Sequence, residues 1–422
     1  MFDETDKYRV ISHQLGSSLT DKYQLRLWGA HLKSQIRRKK VSNRSAVFGG
    51  AGFIGTNLVY QLIEDGQQVF NFDNLSGLGN LLNIAELMQQ SRHSFARCDI
   101  SNPEEIRQAL LMAAADTIYF CITPKNPEEE SSLENFRTFF ETVKEWRNGM
   151  ADTKLHKIVV VVSEHYKLLG TYGKMYAGLL KLLDGYASDG LPISSLLVPP
   201  AFGPFQQPDS PISMIIYRAI EGETIPVVNP EEKVSDLVYV KDVVDAIVLV
   251  EKNGKIGGHY HLTGPASSMS NFEAADVICE SLNEALPPPV GRYQALIEEV
   301  ATSPVASDIS KDESTLTVLG LQNKTSLGEG LKETVSWYLN NPRWYNQSRT
   351  QMSYALNSLY KGMPKHRQSR CSSGPLNEHR SLLLLAIGRI KDGVQPGLHI
   401  EVLGQVLRKV RIVGPVCARF LR

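Results

Sequence analysis

A glycine turn between two short apolar runs constrains the fold more than any other stretch. Residues 46–48 are apolar, and the run Gly-Gly-Ala-Gly-Phe-Ile-Gly follows at 49–55. Helix-forming residues come next, and a second apolar run ends at Asp73. This order predicts a strand, a turn, a helix and a second strand. In such a unit Gly49 allows the tight turn, Gly52 lets a phosphate approach the backbone, and Gly55 lets the helix pack closely on the sheet.

An acidic residue at the end of the second run extends this prediction to a dinucleotide site. Asp73 stands about 20 residues beyond the turn, where a carboxylate can accept hydrogen bonds from both ribose hydroxyls. The helix N-terminus offers free N–H groups and the positive end of its dipole to a phosphate. Because a carboxylate repels a 2′-phosphate, the pattern favours NAD over NADP. The alternative is an ordinary strand–helix turn that binds no ligand.

Strands and helices alternate from residue 45 to residue 200. Further strands are predicted at Ser94–Cys98, Asp116–Thr123, His156–Ser163 and Leu191–Pro200. A helix from about Leu133 to Arg147 carries an aromatic stripe that is typical of core packing: Phe136, Phe139 and Phe140, with Val143. This alternation predicts an α/β fold, a Rossmann-type doubly wound parallel sheet with helices on both faces.

The chain divides into four predicted regions: a polar N-terminal arm at 1–44, an NAD-binding Rossmann domain at 45–200, a smaller α/β substrate-binding region at 201–344 and a basic extension at 345–422. The third region contains a strand that leads into a buried helix at Val238–Val250 and a strand at Gly258–Thr263. It ends in an amphipathic helix at Leu331–Leu339. We expect this region to cover the carboxyl edge of the sheet, where open α/β folds bind ligands.

Composition and charge exclude several classes of function. The 422 residues hold 45 Lys and Arg against 45 Asp and Glu, so net charge indicates neither a nucleic-acid nor a membrane partner. No apolar run is long enough to span a bilayer, and the acidic start at residues 1–6 does not resemble a secretory signal. Five scattered cysteines favour a reducing, cytoplasmic compartment: Cys98, Cys121, Cys279, Cys371 and Cys417.

No metal site is predicted. His259 and His261 share one face of a strand, which allows a metal pair, but no third ligand is evident and structural roles are commoner. Asp99 follows the third strand, where its carboxylate can meet an adenine amino group. Alternatively, Ser101 caps the helix that begins with Pro103.

Several separate motifs together resemble those of the extended short-chain dehydrogenase/reductase family, in particular its NAD-dependent nucleotide-sugar epimerases and dehydratases. They occur in the family's order across residues 45–340 and comprise the glycine run at 49–55, Phe-Asp-Asn-Leu-Ser at 72–76, Asp-Ile at 99–100, Phe-Gly-Pro at 202–204, Ser-Asp-Leu-Val-Tyr-Val-Lys-Asp at 235–242 and Thr-Ser-Leu-Gly-Glu-Gly-Leu-Lys-Glu-Thr-Val-Ser-Trp-Tyr at 325–338.

The resemblance implies transient oxidation of a sugar hydroxyl. In the family a tyrosinate takes the hydroxyl proton while a hydride passes to nicotinamide, and a nearby lysine lowers the tyrosine pKa from about 10. The resemblance also implies a nucleotide-sugar substrate and homodimers. It places the cofactor on Gly49, Gly52, Phe53, Ile54, Gly55, Asp73, Asn74, Asp99, Ile100 and Lys174.

The sequence departs from the family at the catalytic motif. Gly170 stands four residues before Lys174, where the family has tyrosine, and Tyr172 and Tyr176 are each two residues away from that lysine. The Tyr-x-x-x-Lys motif is therefore degenerate, with Lys174, Tyr172 and Ser163 as the catalytic candidates. Glu164 is either an acid–base group or a surface residue. Ser235 replaces the arginine that family members use on the substrate diphosphate.

Three functions remain open from the sequence. The first is an NAD-dependent epimerase or dehydratase that acts on a nucleotide sugar with an altered active site. The second is a non-catalytic NAD-binding protein that serves as a sensor or scaffold. The third is a reductase of a smaller carbonyl compound, because the diphosphate arginine is missing.

Overall fold

A computed structural model describes residues 43–348, apart from 77–78, 124–129, 151–153, 164–169, 209, 235, 266, 268, 289, 301–314 and 322–323. The predicted arm up to residue 42 and the extension from residue 349 lie outside the described residues. The side chains of 130–131, 171–174, 176 and 315 do so as well.

The described residues form eleven strands: β1 (Arg44–Phe48), β2 (Gln68–Asp73), β3 (His93–Arg97), β4 (Thr117–Phe120), β5 (Lys157–Ser163), β6 (Ile193–Val198), β7 (Ala201–Phe202), β8 (Ile225–Val228), β9 (Val238–Tyr239), β10 (His259–His261) and β11 (Ile297–Val300). The helices are α1 (Phe53–Glu64), α2 (Pro103–Ala113), α3 (Glu130–Gly149), α4 (Gly170–Ser188), α5 (Pro211–Glu221), α6 (Val240–Asn253), α7 (Asn271–Ala285) and α8 (Leu327–Asn340). Three 3₁₀ helices span Leu81–Gln89, Tyr293–Leu296 and Thr315–Leu319, and residues 342–348 form one more helix.

Seven strands form one sheet in the order β10-β6-β5-β4-β1-β2-β3, and every pairing in it is parallel. The strand order reverses between β1 and β4, so the carboxyl ends of these two strands flank the crevice where doubly wound sheets bind ligands. The predicted Rossmann-type α/β fold is confirmed.

Both faces of the sheet are buried, which explains the nearly continuous apolar strands. Alternate residues of one strand enter different cores: Val159 and Val161 pack towards α1 and α6, whereas Ile158 and Val160 pack towards α2, α3 and α4. The aromatic stripe of α3 is buried as predicted, and the Phe139 ring lies 4.7 Å from that of Phe48.

The main sheet extends beyond the predicted boundary at residue 200. The short β10 pairs with β6, with His259 opposite Ser195, and α6 packs on the face of the sheet that α1 also covers. Residues 240–261 therefore belong with the sheet, although the predicted boundary assigns them to the smaller region. The division at 200 stays a prediction of the sequence and does not mark the end of this sheet.

A separate core lies among α5, α7, α8 and the pairs β7–β9 and β8–β11. The predicted amphipathic helix is present as α8, and a capping box of Ser326 and Glu329 fixes its start. Its inward face is regular, because Leu327, Leu331 and Val335 repeat every four residues and are buried. None of the described helices combines the length and apolar character needed to cross a bilayer.

Candidate functional site

Close backbone contacts, both within the loop and with Cys121 just after β4, shape the glycine loop between β1 and α1. Gly49 has a φ of +84°, and a Cβ there would lie 2.8 Å from the carbonyl oxygen of Cys121. Gly52 is the N-cap of α1 without a side-chain cap, and a Cβ there would meet the Gly49 oxygen at 3.3 Å. Uncapped N–H groups of α1 therefore remain at this turn.

Gly55 is required for a different reason from the one predicted. A Cβ on Gly55 would lie 2.1 Å from the Gly49 carbonyl oxygen and 2.8 Å from the Gly50 Cα. The first turn of α1 is thus pressed against the loop itself, so the loop, rather than the sheet, excludes a side chain at this position.

One cavity of about 1490 Å³ runs along the carboxyl edge of the sheet. The glycine loop forms one wall through Gly49, Gly52, Phe53 and Ile54. The strand ends add further predicted residues, namely Asp73, Asn74, Asp99, Ile100 and Ser163. The structure thus brings together most of the side chains that the sequence singled out, whereas Gly55 lies beneath the loop and does not line the cavity.

Asp73 is a buried carboxylate at the end of β2. One of its oxygens, Oδ2, accepts a hydrogen bond of 3.1 Å from the Ala51 N–H, and Oδ1 accepts one of 2.8 Å from the Leu75 N–H. Burial raises the pKa of Asp73, and these two backbone bonds oppose that rise. A carboxylate has about four acceptor sites, so two are left for hydroxyl groups in the cavity.

Asp99 is held in place by its neighbours. The Ser101 backbone N–H and hydroxyl donate to Oδ1 over 2.9 and 2.7 Å, and Asn74 Nδ2 donates to Oδ2 over 3.0 Å. Desolvation acts to raise the pKa of Asp99, but these hydrogen bonds bring it below its ordinary value. The proposed cap at Ser101 is wrong, because the Asn102 side chain caps α2 by accepting from the backbone of Glu104 and Glu105.

Among the catalytic candidates, the structure describes the side chain of Ser163 but only the backbones of Tyr172 and Lys174. Ser163 ends β5 and lines the cavity, and Thr123 lies just beyond β4 and lines it too. The backbones of Tyr172 and Lys174 lie in the first turn of α4, but their side chains are outside the described residues. Glu164 is also outside them.

The far half of the cavity contains polar residues that the sequence analysis missed. Arg218 projects from α5, Lys233 lies in the loop after β8, and Gln206 follows β7. Gln206 is 5% exposed and donates from Nε2 to the Ala201 oxygen over 2.9 Å. Its Oε1 is buried without a hydrogen-bond partner among the described residues. One signal was present in the sequence: Arg218 is the only cation in the largely apolar α5.

Of the two histidines on β10, His259 is held by hydrogen bonds to neighbouring side chains. The Nδ1 of His259 lies 2.6 Å from the Ser195 Oγ, and its Nε2 lies 2.8 Å from the Asp184 carboxylate, so both ring nitrogens have partners. No group of three metal-ligating side chains occurs among the described residues. The thiols of Cys98, Cys121 and Cys279 are free, and burial raises the pKa of Cys121 to about 12.

Comparison with known proteins identifies relatives along most of this structure. Residues 46–120 match the family model for GDP-mannose 4,6 dehydratase, and residues 160–263 match that of the NAD dependent epimerase/dehydratase family. A probable dTDP-glucose 4,6-dehydratase from Sinorhizobium fredii is 27% identical over 339 residues, which cover 72% of this chain and 95% of that protein.

Solved structures share the fold at lower identity. A dTDP-glucose 4,6-dehydratase from Bacillus anthracis in complex with NAD gives a TM-score of 0.62 at 23% identity, over 73% of this chain and 100% of its own. The Bordetella bronchiseptica enzyme WbmF in complex with NAD⁺ and UDP gives 0.58 at 19% identity, over 75% and 98%. Together with the parallel sheet and its glycine loop, these matches show that the chain is similar to the nucleotide-sugar dehydratases and epimerases of the extended short-chain dehydrogenase/reductase family.

Proposed function

We propose that this protein binds NAD at the glycine loop and acts on a nucleotide sugar by transiently oxidising one of its hydroxyls, as an epimerase or dehydratase. The observation that carries the proposal is one continuous cavity, which runs from the glycine loop past Asp73 to α5 and β8. A dinucleotide and a nucleotide sugar need such a continuous space, because the nicotinamide must meet the sugar.

The residues along the near half of the cavity fit NAD. The bare backbone at Gly52 and the N-terminus of α1 leave room and N–H donors for a pyrophosphate. Asp73 has acceptor sites left for two ribose hydroxyls, and its negative charge disfavours a 2′-phosphate. Asp99 and Ile100 line the cavity just beyond β3, and we assign them to the adenine ring.

When bound, NAD supplies a reversible hydride acceptor. The chain must then hold the sugar and remove a proton from its hydroxyl. We assign Ser163 to a hydrogen bond with that hydroxyl, Tyr172 to the base and Lys174 to the ribose and to lowering the tyrosine pKa. Thr123 offers a second hydroxyl at the same edge of the sheet.

The far half of the cavity suits the nucleotide part of the substrate. Arg218 and Lys233 come from different elements and place two cations on the wall, where a diphosphate needs them. Gln206 Oε1 is a buried acceptor, and a substrate N–H or O–H would satisfy it. These residues compensate for Ser235, which stands where the family has its diphosphate arginine.

The test is incubation of the full chain with NAD and either dTDP-glucose or UDP-glucose. A dehydratase yields a product lighter by one water, which mass spectrometry detects, and an epimerase yields an isomer that chromatography separates. Lys174→Ala should abolish turnover. If turnover in that variant stays unchanged, the role of Lys174 is wrong; if NAD binds but neither sugar nucleotide reacts, the catalytic part of the proposal is wrong.

A second candidate function is non-catalytic binding of NAD, as a sensor or scaffold. Gly170 at the position of the family tyrosine favours it, because no phenol then stands at the usual spacing from Lys174. Tyr172→Phe separates the two functions. Loss of turnover in this variant supports the enzyme, whereas NAD binding without any turnover in the unaltered chain supports the sensor. The reductase of a smaller carbonyl substrate would instead consume NADH without a sugar nucleotide.

We further propose that the chain works in the cytoplasm, as its scattered cysteines indicate, and that it pairs as a homodimer, as the family resemblance implies. The three described cysteines are free thiols, which agrees with a reducing compartment. Light scattering coupled to size-exclusion chromatography measures the oligomer. A mass near 47.0 kDa would indicate a monomer and contradict the dimer.

A further inference from the structure

A buried chain of hydrogen bonds connects the helix at 342–348 to the glycine loop. The Trp344 Nε1–H donates to Asn83 Oδ1 over 2.7 Å, and these two residues are 261 positions apart in the sequence. The Asn83 Nδ2 then donates to the Ala51 carbonyl oxygen over 2.8 Å. Ala51 lies in the glycine loop, and its own N–H donates to the Asp73 carboxylate.

Every member of this chain is shielded from solvent. Trp344 is 6% exposed, Asn83 1% and Ala51 0%. Hydrogen bonds in such surroundings are costly to break, because a buried donor or acceptor that loses its partner cannot form a hydrogen bond with water instead. The Ala51 carbonyl oxygen also accepts the Asn80 backbone N–H over 3.0 Å, so Asn83 supplies one of two hydrogen bonds that hold this carbonyl, and it is the one that links the carbonyl to Trp344.

The Trp344 ring is itself fixed by aromatic neighbours. Its centroid lies 5.0 Å from that of Trp337 and 5.7 Å from that of Tyr338, both on α8. Phe205 touches the same cluster at 4.6 Å from Trp337 and stacks on Tyr60 of α1 at 5.2 Å. This packing aims the indole N–H at Asn83 and leaves the ring little freedom to turn.

We propose that Trp344 is a positioning residue for the cofactor: acting through Asn83, it holds the Ala51 peptide, and with it Asp73, in the geometry that binds the dinucleotide. The inference rests on the proposed function, because it concerns NAD at the glycine loop. It assigns a cofactor-binding role to a residue far from the cofactor motif in sequence and outside the wall of the cavity.

The chain supplies a matched control beside Trp344. Tyr345 lies in the same helix, is also buried, and donates a hydrogen bond of 2.7 Å from its hydroxyl to the Glu221 carboxylate on α5. Trp344→Phe and Tyr345→Phe each remove one polar donor from this helix and leave an aromatic ring. Only the first change breaks the path to Ala51, so a general loosening of the helix would affect both variants alike.

The experiment measures NADH binding by its fluorescence in the full chain, together with the melting temperature of each variant. We expect Trp344→Phe to weaken binding by about three- to tenfold, the value of one buried hydrogen bond, and Tyr345→Phe to change it by less than about twofold. Asn83→Leu should weaken binding at least as much as Trp344→Phe. The double variant should bind no more weakly than Asn83→Leu alone, because Trp344 acts through Asn83.

The outcomes separate the two proposals. If the unaltered chain does not bind NADH, the proposed function fails and this inference fails with it. If the unaltered chain binds NADH but Trp344→Phe and Tyr345→Phe bind alike, only the inference is overturned. Additive losses in the double variant would contradict the path through Asn83, even if each single variant binds weakly.

Discussion

Replacing Asp73 with alanine tests whether this carboxylate binds the cofactor. In the structure each carboxylate oxygen already accepts one backbone N–H, from Ala51 and from Leu75, so the side chain is fixed before a ligand arrives. Two ribose hydroxyls on the remaining sites would each donate to a charged acceptor, a bond worth about 1.5–3 kcal/mol. Even the lower value for both gives about 3 kcal/mol, or roughly a hundredfold in NAD affinity.

The same substitution should change the preference between the two dinucleotides. The carboxylate repels a 2′-phosphate, so NADP should gain relative to NAD when Asp73 is removed. We expect the dissociation constant for NAD, measured by calorimetric titration, to rise about a hundredfold, and that for NADP to stay constant or fall. The unfolding free energy should drop by about 1–3 kcal/mol, because two backbone N–H groups lose their acceptor.

Asp116 provides the control for that loss of stability. It accepts the Arg44 N–H over 2.9 Å at the opposite edge of the sheet. Asp116→Ala should therefore lower stability while leaving both dinucleotide affinities unchanged. The assignment of Asp73 is refuted if Asp73→Ala binds NAD within about twofold of the unaltered chain, or if Asp116→Ala weakens NAD binding equally.

Three further predictions follow from the loop and the cavity. Gly52→Ala should lower stability by at most about 1 kcal/mol, because its methyl group meets the Gly49 oxygen at 3.3 Å, yet it should weaken NAD binding, because the methyl group takes up space in the wall of the cavity. In Gly55→Ala the new Cβ would lie 2.1 Å from the Gly49 oxygen, so this variant should destabilise the fold by about 3 kcal/mol. Similar melting temperatures for the two variants would contradict this. Burial lowers the pKa of His93, so the unfolded chain binds the proton more readily, and the free energy of unfolding should decrease as the pH is lowered through about 6.5. His93→Gln should flatten this part of the pH profile of denaturant unfolding, and an unaltered profile would contradict the role of His93. Gln206→Leu should raise KM for the sugar nucleotide with NAD affinity unchanged, whereas an unchanged KM would remove this residue from the site.

Much of the fold could be predicted because its signals are local. The strand, turn and helix at 45–64 are indicated by the order of residue types within about twenty positions, and the spacing of the aromatic residues in α3 indicates which face of that helix is buried. The family resemblance and the parallel sheet were predicted from the same motifs. By contrast, β10 is only three residues long, and its place beside β6 depends on a pairing that periodicity cannot reveal.

The N-cap of α2 was predicted wrongly because two neighbouring residues can each fill that position. Ser101 and Asn102 both suit an N-cap, and only the backbone conformation decides that Asn102 caps α2 while Ser101 supports Asp99. The glycine pattern predicted that Gly55 has no room for a side chain. The cause is the nearby Gly49 carbonyl oxygen, a contact that the sequence pattern does not reveal.

The far half of the site could not be predicted because its members meet only in three dimensions. Gln206, Arg218 and Lys233 come from three separate elements, and each alone is an ordinary polar residue in the sequence. The link from Trp344 to Asn83 spans 261 positions and has no motif. The roles of Ser163, Tyr172 and Lys174 stay predictions.

Hydrogen–deuterium exchange of the full chain with and without NAD tests the central claim most directly, because it reports where the dinucleotide binds. We predict that NAD slows exchange at the amides of residues 49–55 and 73–75 more than elsewhere in the sheet. Unchanged exchange at both segments, in a protein shown by titration to bind NAD, would place the cofactor elsewhere and contradict the account.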